Sequence, residues 1–183
     1  MPSFDQLALS TARLDLRPLR TGDEAALFTI FSDPEVMRYW SSAAWLDVGK
    51  ARAMIEQDLH EMAAGNSLRL GVVRKAGSVL IGTVSLFGFQ EQNKRAEIGY
   101  ALARAAQGMG LMHEALRATV SYAFGTLNLH RLEADIDPRN AASARSLLRL
   151  GFKQEGLLRE RWIVNGEVSD SALFGLLKSE WAA

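Results

Sequence analysis

The sequence predicts an α+β fold whose mixed sheet has parallel strands at its centre and hairpins towards its ends. Apolar residues alternate with polar ones in residues 12–19 and 130–137, as in half-buried strands. Apolar residues recur at helical spacing in residues 48–64 and 109–125. Turn residues typical of hairpins join neighbouring strands in both halves of the chain. Since helical crossovers make strands parallel and hairpins make them antiparallel, the two kinds of connection together predict a mixed sheet.

The first third of the chain predicts one strand followed by three helices. After the strand at 12–19, a short helix has Asp23 in its first turn, where a negative charge is favourable. Asp33 is placed to cap a further helical turn that begins at Pro34. The helix at 48–64 follows a loop.

The middle of the chain predicts three successive strands. Residues 68–74 and 78–89 are joined by a short turn that ends in glycine, a hairpin signal. Residues 79–84 are apolar on both faces, so this strand is expected at the centre of the sheet. A polar turn then leads into a third strand at 95–102.

The last third predicts a helix, a strand, a second helix and a hairpin. The helix at 109–125 buries the stripe that begins at Met112, and the strand at 130–137 follows it. Asn140 is expected to cap the next helix. Residues 161–164 and 168–177 flank Asn-Gly, a strong hairpin signal.

Composition limits the classes of function. The 183 residues predict one domain spanning 1–183, with a core at about 10–178. Lys plus Arg number 21, as do Asp plus Glu, so we expect no nucleic-acid or membrane partner. There is no cysteine and the three histidines are scattered, so no metal site is expected. The chain shows no signal peptide and no apolar run of about 20 residues, which favours a cytoplasmic protein.

A glycine turn lies between the strand at 95–102 and the long helix. It comprises Gln107, Gly108, Met109, Gly110, Leu111 and Met112. Free N–H groups and the positive end of the helix dipole meet at such a position, so it suits a phosphate. The alternative is a plain turn in which the glycines only supply unusual backbone angles. The Walker A and Rossmann patterns are both absent.

The order of these parts resembles the GNAT superfamily of acyl-CoA-dependent N-acetyltransferases, and most nearly its RimJ/RimL-type branch. The resemblance spans about residues 10–178 and rests on five segments: Ala12–Pro18, Ala96–Tyr100, Gln107–Leu111, Asn140–Ser143 and Leu150–Phe152. It implies the GNAT fold, with a mostly antiparallel central sheet, splayed parallel middle strands and helices on both faces.

The resemblance also implies acetyl-CoA as co-substrate, without a metal. The pantetheine arm would lie between the splayed strands and contact Asn140 and the backbone of Ile98, Tyr100 and Leu102. The pyrophosphate would rest on the glycine turn. Met112 departs from the small residue of the family pattern, and its side chain is expected to crowd the start of the helix.

Three carboxylates and one hydroxyl are candidates for the chemistry. By resemblance, Ser143 would hydrogen-bond the sulfur of the departing thiolate. The acceptor amine must lose a proton before it attacks, and Glu97 is the first candidate base, directly or through water. Glu133 and Asp135 are the second choices, although an ion pair or a solvent-exposed strand face is the favoured interpretation for both.

The acceptor site is predicted by resemblance at Tyr39, Trp40 and Trp45, which could equally form core or lid packing. No carboxylate cluster that would demand a polycation is evident beside them. The predicted acceptor is a protein or peptide N-terminal amine; a small amine, antibiotic or polyamine is second. A non-catalytic acyl-CoA-binding module and a general nucleotide-phosphate binder remain alternatives. The C-terminal hairpin could pair across a homodimer.

Overall fold

One eight-stranded sheet organises the computed structural model, which describes residues 1–182. Its order is β1-β2-β3-β4-β5-β6-β8-β7. The strands are β1 (Leu9–Ser10), β2 (Leu14–Pro18), β3 (Leu68–Arg74), β4 (Val79–Gln90), β5 (Arg95–Leu102), β6 (Arg131–Ile136), β7 (Lys153–Val164) and β8 (Glu167–Leu177).

The helices cover both faces of the sheet. They are α1 (Glu24–Phe31), α2 (Pro34–Met37), α3 (Gly49–Ala63), α4 (Leu111–Gly125) and α5 (Ala141–Arg149). Leu116 of α4 and Leu147 of α5 share one buried cluster with alternate residues of the central strands. Leu27 of α1 and Ile55 of α3 belong to a second cluster, which packs on the opposite face.

The predicted fold class is confirmed: every neighbouring pair in the sheet is antiparallel except β5 and β6. That parallel pairing is short, since it joins only residues 95–97 to residues 131–133. β5 continues to Leu102 and β6 to Ile136, so the two strands diverge beyond Glu97. A gap therefore opens at the centre of the sheet.

Two of the predicted helix caps and the C-terminal hairpin turn are found where they were expected. The Asp33 carboxylate accepts a hydrogen bond from the N–H of Glu35, and the Asn140 side chain accepts one from the N–H of Ser143. At the tip of the C-terminal hairpin, Asn165 and Gly166 have φ of 51° and 83°, as a two-residue hairpin turn requires.

Three features differ from the sequence prediction or extend it. Short β1 was not predicted, and β7 begins at Lys153, eight residues before the predicted start at 161. Residues 153–160 are mostly exposed because β7 is an edge strand, so they lack the alternation that marks a half-buried strand. β8 pairs with β6 of its own chain, and the outer edge of β7 pairs with no strand of residues 1–182. A homodimer stays a prediction.

Within the described chain, no helix is long and apolar enough to cross a bilayer. Nor do residues 1–182 contain a group of three or more His, Asp and Glu side chains placed to hold a metal ion.

Candidate active site

A cavity of about 380 Å³ passes through the sheet at the gap between β5 and β6. Ile98, Tyr100 and Ser143 line it from the face that carries α4 and α5. Glu97 and Asp135 line it from the opposite face, because neighbouring residues of a strand point to opposite sides. Groups from both faces can therefore meet at the gap.

The edge of β5 offers backbone hydrogen-bonding groups to this gap. The Ala103 N–H donates a hydrogen bond of 2.8 Å to the Ile81 carbonyl of β4. Because the backbone groups of successive residues in a strand point to alternate sides, this bond determines which residues of β5 direct theirs towards β4. The groups of Ile98, Tyr100 and Leu102 consequently point towards β6. Pairing with β6 ends at Glu97, so Tyr100 and Leu102 lie beyond the last paired residue. The Leu102 carbonyl already accepts a hydrogen bond of 3.1 Å from the Gln107 side chain.

The glycine turn joins the end of β5 to the start of α4. Gly108 and Gly110 have φ of 77° and 72°, a left-handed conformation that glycine adopts without strain. Within residues 1–182, none of the successive backbone N–H groups of residues 108–113 donates a hydrogen bond to the protein. The first helical bond is made by Glu114, to the Gly110 carbonyl at 3.2 Å. Unpaired donors at the positive end of a 15-residue helix suit an anion.

Met112 does not crowd this turn, and that expectation was wrong. Its side chain is 8% exposed and packs in the cluster beneath α4, together with Leu111. The helix begins at Leu111, which turns Met112 onto the same buried stripe as Leu116. The turn is left accessible, with Gly108, Met109 and Gly110 exposed.

A guanidinium group lies beside the glycine turn. Arg13 donates a hydrogen bond from Nη1 to the Met109 carbonyl at 2.9 Å and one from Nε to Glu114 at 2.6 Å. A Cβ added at Gly110 would lie 3.6 Å from its Nη2. Arg13 therefore ties β2 to the start of α4 and fixes the conformation of the turn.

Ser143 and Tyr100 form a hydrogen-bonded pair at the gap. Their hydroxyl oxygens are 2.6 Å apart, and the Ser143 side chain is buried. Asn140 holds the first turn of α5 because its Oδ1 accepts from the Ser143 N–H at 3.0 Å. Burial raises the pKa of the Tyr100 hydroxyl to about 12. Tyr100 therefore stays protonated at neutral pH and can act as a hydrogen-bond donor to Ser143.

Glu97 differs from the other candidate carboxylates. No side chain among residues 1–182 forms a hydrogen bond or ion pair with it, and burial together with the charges of Glu133 and Asp135 raises its pKa. Glu133 is hydrogen-bonded to Arg95 and Arg131, in agreement with the ion pairing favoured from the sequence. A carboxylate with a raised pKa takes up a proton more readily than an ordinary one.

Asp135 is also paired. Arg161 donates to it at 3.1 Å, and the Ser171 hydroxyl donates to its other oxygen. This too agrees with the ion pairing favoured from the sequence.

Of the three aromatic candidates, the structure brings two to the cavity. Tyr39 and Trp40 line it, and Trp40 also lines a second cavity of about 240 Å³. Trp45 lines neither cavity. Its ring stacks on Phe31, with 4.8 Å between centroids, so it belongs to the core packing that was its alternative interpretation.

Sequence reasoning missed several residues of this cavity. Carboxylates lie near the aromatic side chains, because Glu97, Asp135 and Asp137 line the same cavity as Tyr39 and Trp40. Glu97 lies on β5, whereas Asp135 lies on β6 and Asp137 directly follows it, so no local pattern in the sequence reveals the cluster.

Arg69 is another cavity residue that was missed. It interrupts the apolar run of β3 and lies two strands away from Glu97 in the sheet. A charged side chain in a strand that is otherwise buried is the signal that could have identified it.

Comparison with known proteins shows one family. The sequence profile described as an acetyltransferase (GNAT) domain matches residues 13–153. A protein of Bacillus licheniformis, named as an uncharacterized N-acetyltransferase p20, is 38% identical over 174 residues, which cover 95% of this chain and 98% of the relative.

Two further relatives differ in their acceptors. The crystal structure of spermidine N-acetyltransferase from Vibrio cholerae, in complex with CoA and spermine, superposes with a TM-score of 0.82 at 25% identity and covers 93% of this chain and 98% of that one. The [ribosomal protein uS5]-alanine N-acetyltransferase of Escherichia coli is 37% identical over 84 residues, which are 46% of this chain and 43% of that protein.

Proposed function

Since the chain belongs to the GNAT family of acetyltransferases and is an acetyl-CoA-dependent N-acetyltransferase, we propose that it acetylates the N-terminal amine of a protein or peptide. We place it in the RimJ/RimL-type branch, which the similarity to the uS5-alanine enzyme supports over part of the chain. Family membership and the similar enzymes favour a catalyst over a non-catalytic CoA-binding module.

The observation that carries the choice of acceptor is the continuity of two cavities. The cavity at the gap and the second cavity share Trp40, Asp137 and Ser169. Their volumes of about 380 and 240 Å³ leave room for an acceptor longer than a small amine. A peptide could extend from the gap past Trp40 towards the tip of the β7–β8 hairpin, where Asn165 lines the second cavity.

Acetyl-CoA supplies the thioester. In our proposal the unpaired N–H groups of residues 108–113 bind its pyrophosphate, and the free edge of β5 at Tyr100 and Leu102 holds the pantetheine arm as an added strand. The Gln107 side chain donates a hydrogen bond to the Leu102 carbonyl, so the Leu102 N–H is the backbone group that remains for the pantetheine arm.

The chemical step would be direct transfer. Glu97 accepts a proton from the acceptor ammonium, directly or through water, and the neutral nitrogen then attacks the thioester carbon. The N–C bond forms as the C–S bond breaks, the nitrogen loses its remaining excess proton to solvent, and CoA departs as the thiolate. Ser143 donates a hydrogen bond to the departing sulfur, and Tyr100 donates to the Ser143 oxygen, which aligns the Ser143 proton with the thiolate.

A small amine such as spermidine is the second candidate acceptor. The similarity to the Vibrio cholerae spermidine enzyme covers 93% of this chain, and carboxylates line the cavity. Two of the three carboxylates, however, are compensated by arginine: Asp135 by Arg161 and Asp137 by Arg139. Glu97 is thus the single cavity carboxylate in residues 1–182 whose charge has no ion-pair partner, which suits one ammonium group better than a polycation.

The test is an acceptor panel with acetyl-CoA. Release of CoA thiol and the mass of the product are measured for free N-terminal peptides, for the same peptides with a blocked N-terminus and for spermidine. We expect acetylation of the free peptides only. Transfer to spermidine with none to any peptide would refute the proposed acceptor.

A further inference from the structure

We propose that Arg69 determines acceptor specificity by binding a carboxylate in one of the first two residues of the peptide. This rests on the proposed function and deepens it, because it names an acidic N-terminal peptide as the preferred acceptor. Arg69 lines the same cavity as Glu97 and Ser143.

The sheet register places Arg69 within reach of the reacting centre. Arg69 on β3 lies opposite Ser85 on β4, and Ser85 lies opposite Gly99 on β5. Two strand spacings, about 10 Å, thus separate the backbones of Arg69 and Gly99, and both residues line the same cavity. A side chain at Gly99 would meet Phe87 at 3.2 Å and Ser85 at 3.3 Å. Because glycine has none, the floor of the cavity stays open between Glu97 and Arg69.

The guanidinium of Arg69 has donors to spare. It has five N–H groups, and within residues 1–182 its one hydrogen bond runs from Nη1 to Oδ1 of Asp58 at 2.7 Å. Asp58 is 6% exposed on α3, and its second oxygen has no partner in that part of the chain. The single-point contact fixes the position of the guanidinium and leaves free the paired donors that a carboxylate binds.

The charges of the cavity match an acceptor with both signs of charge. Glu97, at the gap, has no cation in contact among the described residues, so it can receive the ammonium of the acceptor. Arg69 lies two strands away with unused donors. A ligand with an ammonium and a carboxylate group can pair with both Glu97 and Arg69. A polyamine would instead bring a second cation against Arg69, which is an unfavourable contact between like charges.

The test compares matched peptides with Glu or Gln at position 1 or at position 2. At one of these positions we expect the Glu peptide to be favoured about tenfold in kcat/KM, as a charge-assisted bidentate contact provides. Arg69→Gln alone leaves Asp58 buried without its cation and could unfold the protein, so the test variant is Asp58→Asn with Arg69→Gln. Arg74→Gln, an exposed position on the same strand, is the matched control.

The inference requires the Glu preference to vanish in the double variant and to persist in Arg74→Gln, with KM for acetyl-CoA unchanged in both. Equal rates for Glu and Gln peptides in the wild type, or a preference that survives the double variant, would overturn it while leaving peptide acetylation standing. Transfer to spermidine with none to any peptide would instead overturn the proposed function, and the inference with it.

Discussion

Replacing Gly110 with Glu should weaken CoA binding severely. Gly110 is the N-cap of α4, and the unpaired N–H groups surround it in sequence. A carboxylate there would lie about 5 Å from a bound phosphate, and two such charges repel by about 3 kcal/mol at an effective dielectric constant of about 20. Since about 1.4 kcal/mol is a factor of ten, the Kd for CoA should rise about 100-fold.

Two control variants separate charge from backbone strain. Gly110→Ala forces a side chain into the left-handed conformation, at a cost of about 1–2 kcal/mol in folding stability, but adds no charge. Gly125→Glu adds the same charge at the other end of α4, about 20 Å away, where a side chain meets nothing within 4 Å. Both should bind CoA within about threefold of the wild type, because neither brings a negative charge to the turn.

The assay is calorimetric titration with CoA, and thermal unfolding verifies that each variant is folded. The site assignment fails if Gly110→Glu binds CoA as tightly as the wild type. An equal loss in Gly110→Ala would show instead that turn geometry, rather than charge, governs binding.

The remaining predictions concern the gap. Ser143→Ala should lower kcat about 10- to 100-fold with KM for acetyl-CoA nearly unchanged, and equal kcat in steady-state kinetics would remove its role. Tyr100→Phe should lower kcat less, because Ser143 keeps its hydroxyl but loses its 2.6 Å partner; a larger loss than in Ser143→Ala would contradict this order. Glu97→Gln should lower kcat and remove the acidic limb of the pH–rate profile. If the acidic limb persists in this variant, a group other than Glu97 is the base. Glu97→Gln should also raise Tm at pH 7, because the raised pKa of Glu97 means that folding disfavours the ionised carboxylate. The gain in Tm should shrink as the pH falls through the folded-state pKa towards 4.5. A Tm difference between variant and wild type that stays constant with pH would contradict this reasoning.

Local patterns in the amino-acid sequence were enough to predict most helices and strands and the position of the glycine turn. Periodicity located both long helices, and capping chemistry at Asp33 and Asn140 located two helix starts, because these signals act within a few residues of one another. The glycines at 108 and 110 mark the strand-to-helix turn for the same reason, since the need for positive φ is a property of a single residue. Edge strand β7 was found only in part because an exposed strand leaves little hydrophobic pattern.

Which side chains come into contact depends on how the strands and helices pack together. Arg69 on β3, Glu97 on β5 and Asp137, which directly follows β6, line one cavity because long-range pairing sets the register of the sheet. The contact between Tyr100 and Ser143 depends on how α5 packs beside the gap. The gap itself opens because β5 and β6 stop pairing after Glu97, a consequence of how the whole sheet diverges that no local pattern records. The same packing left the glycine turn accessible.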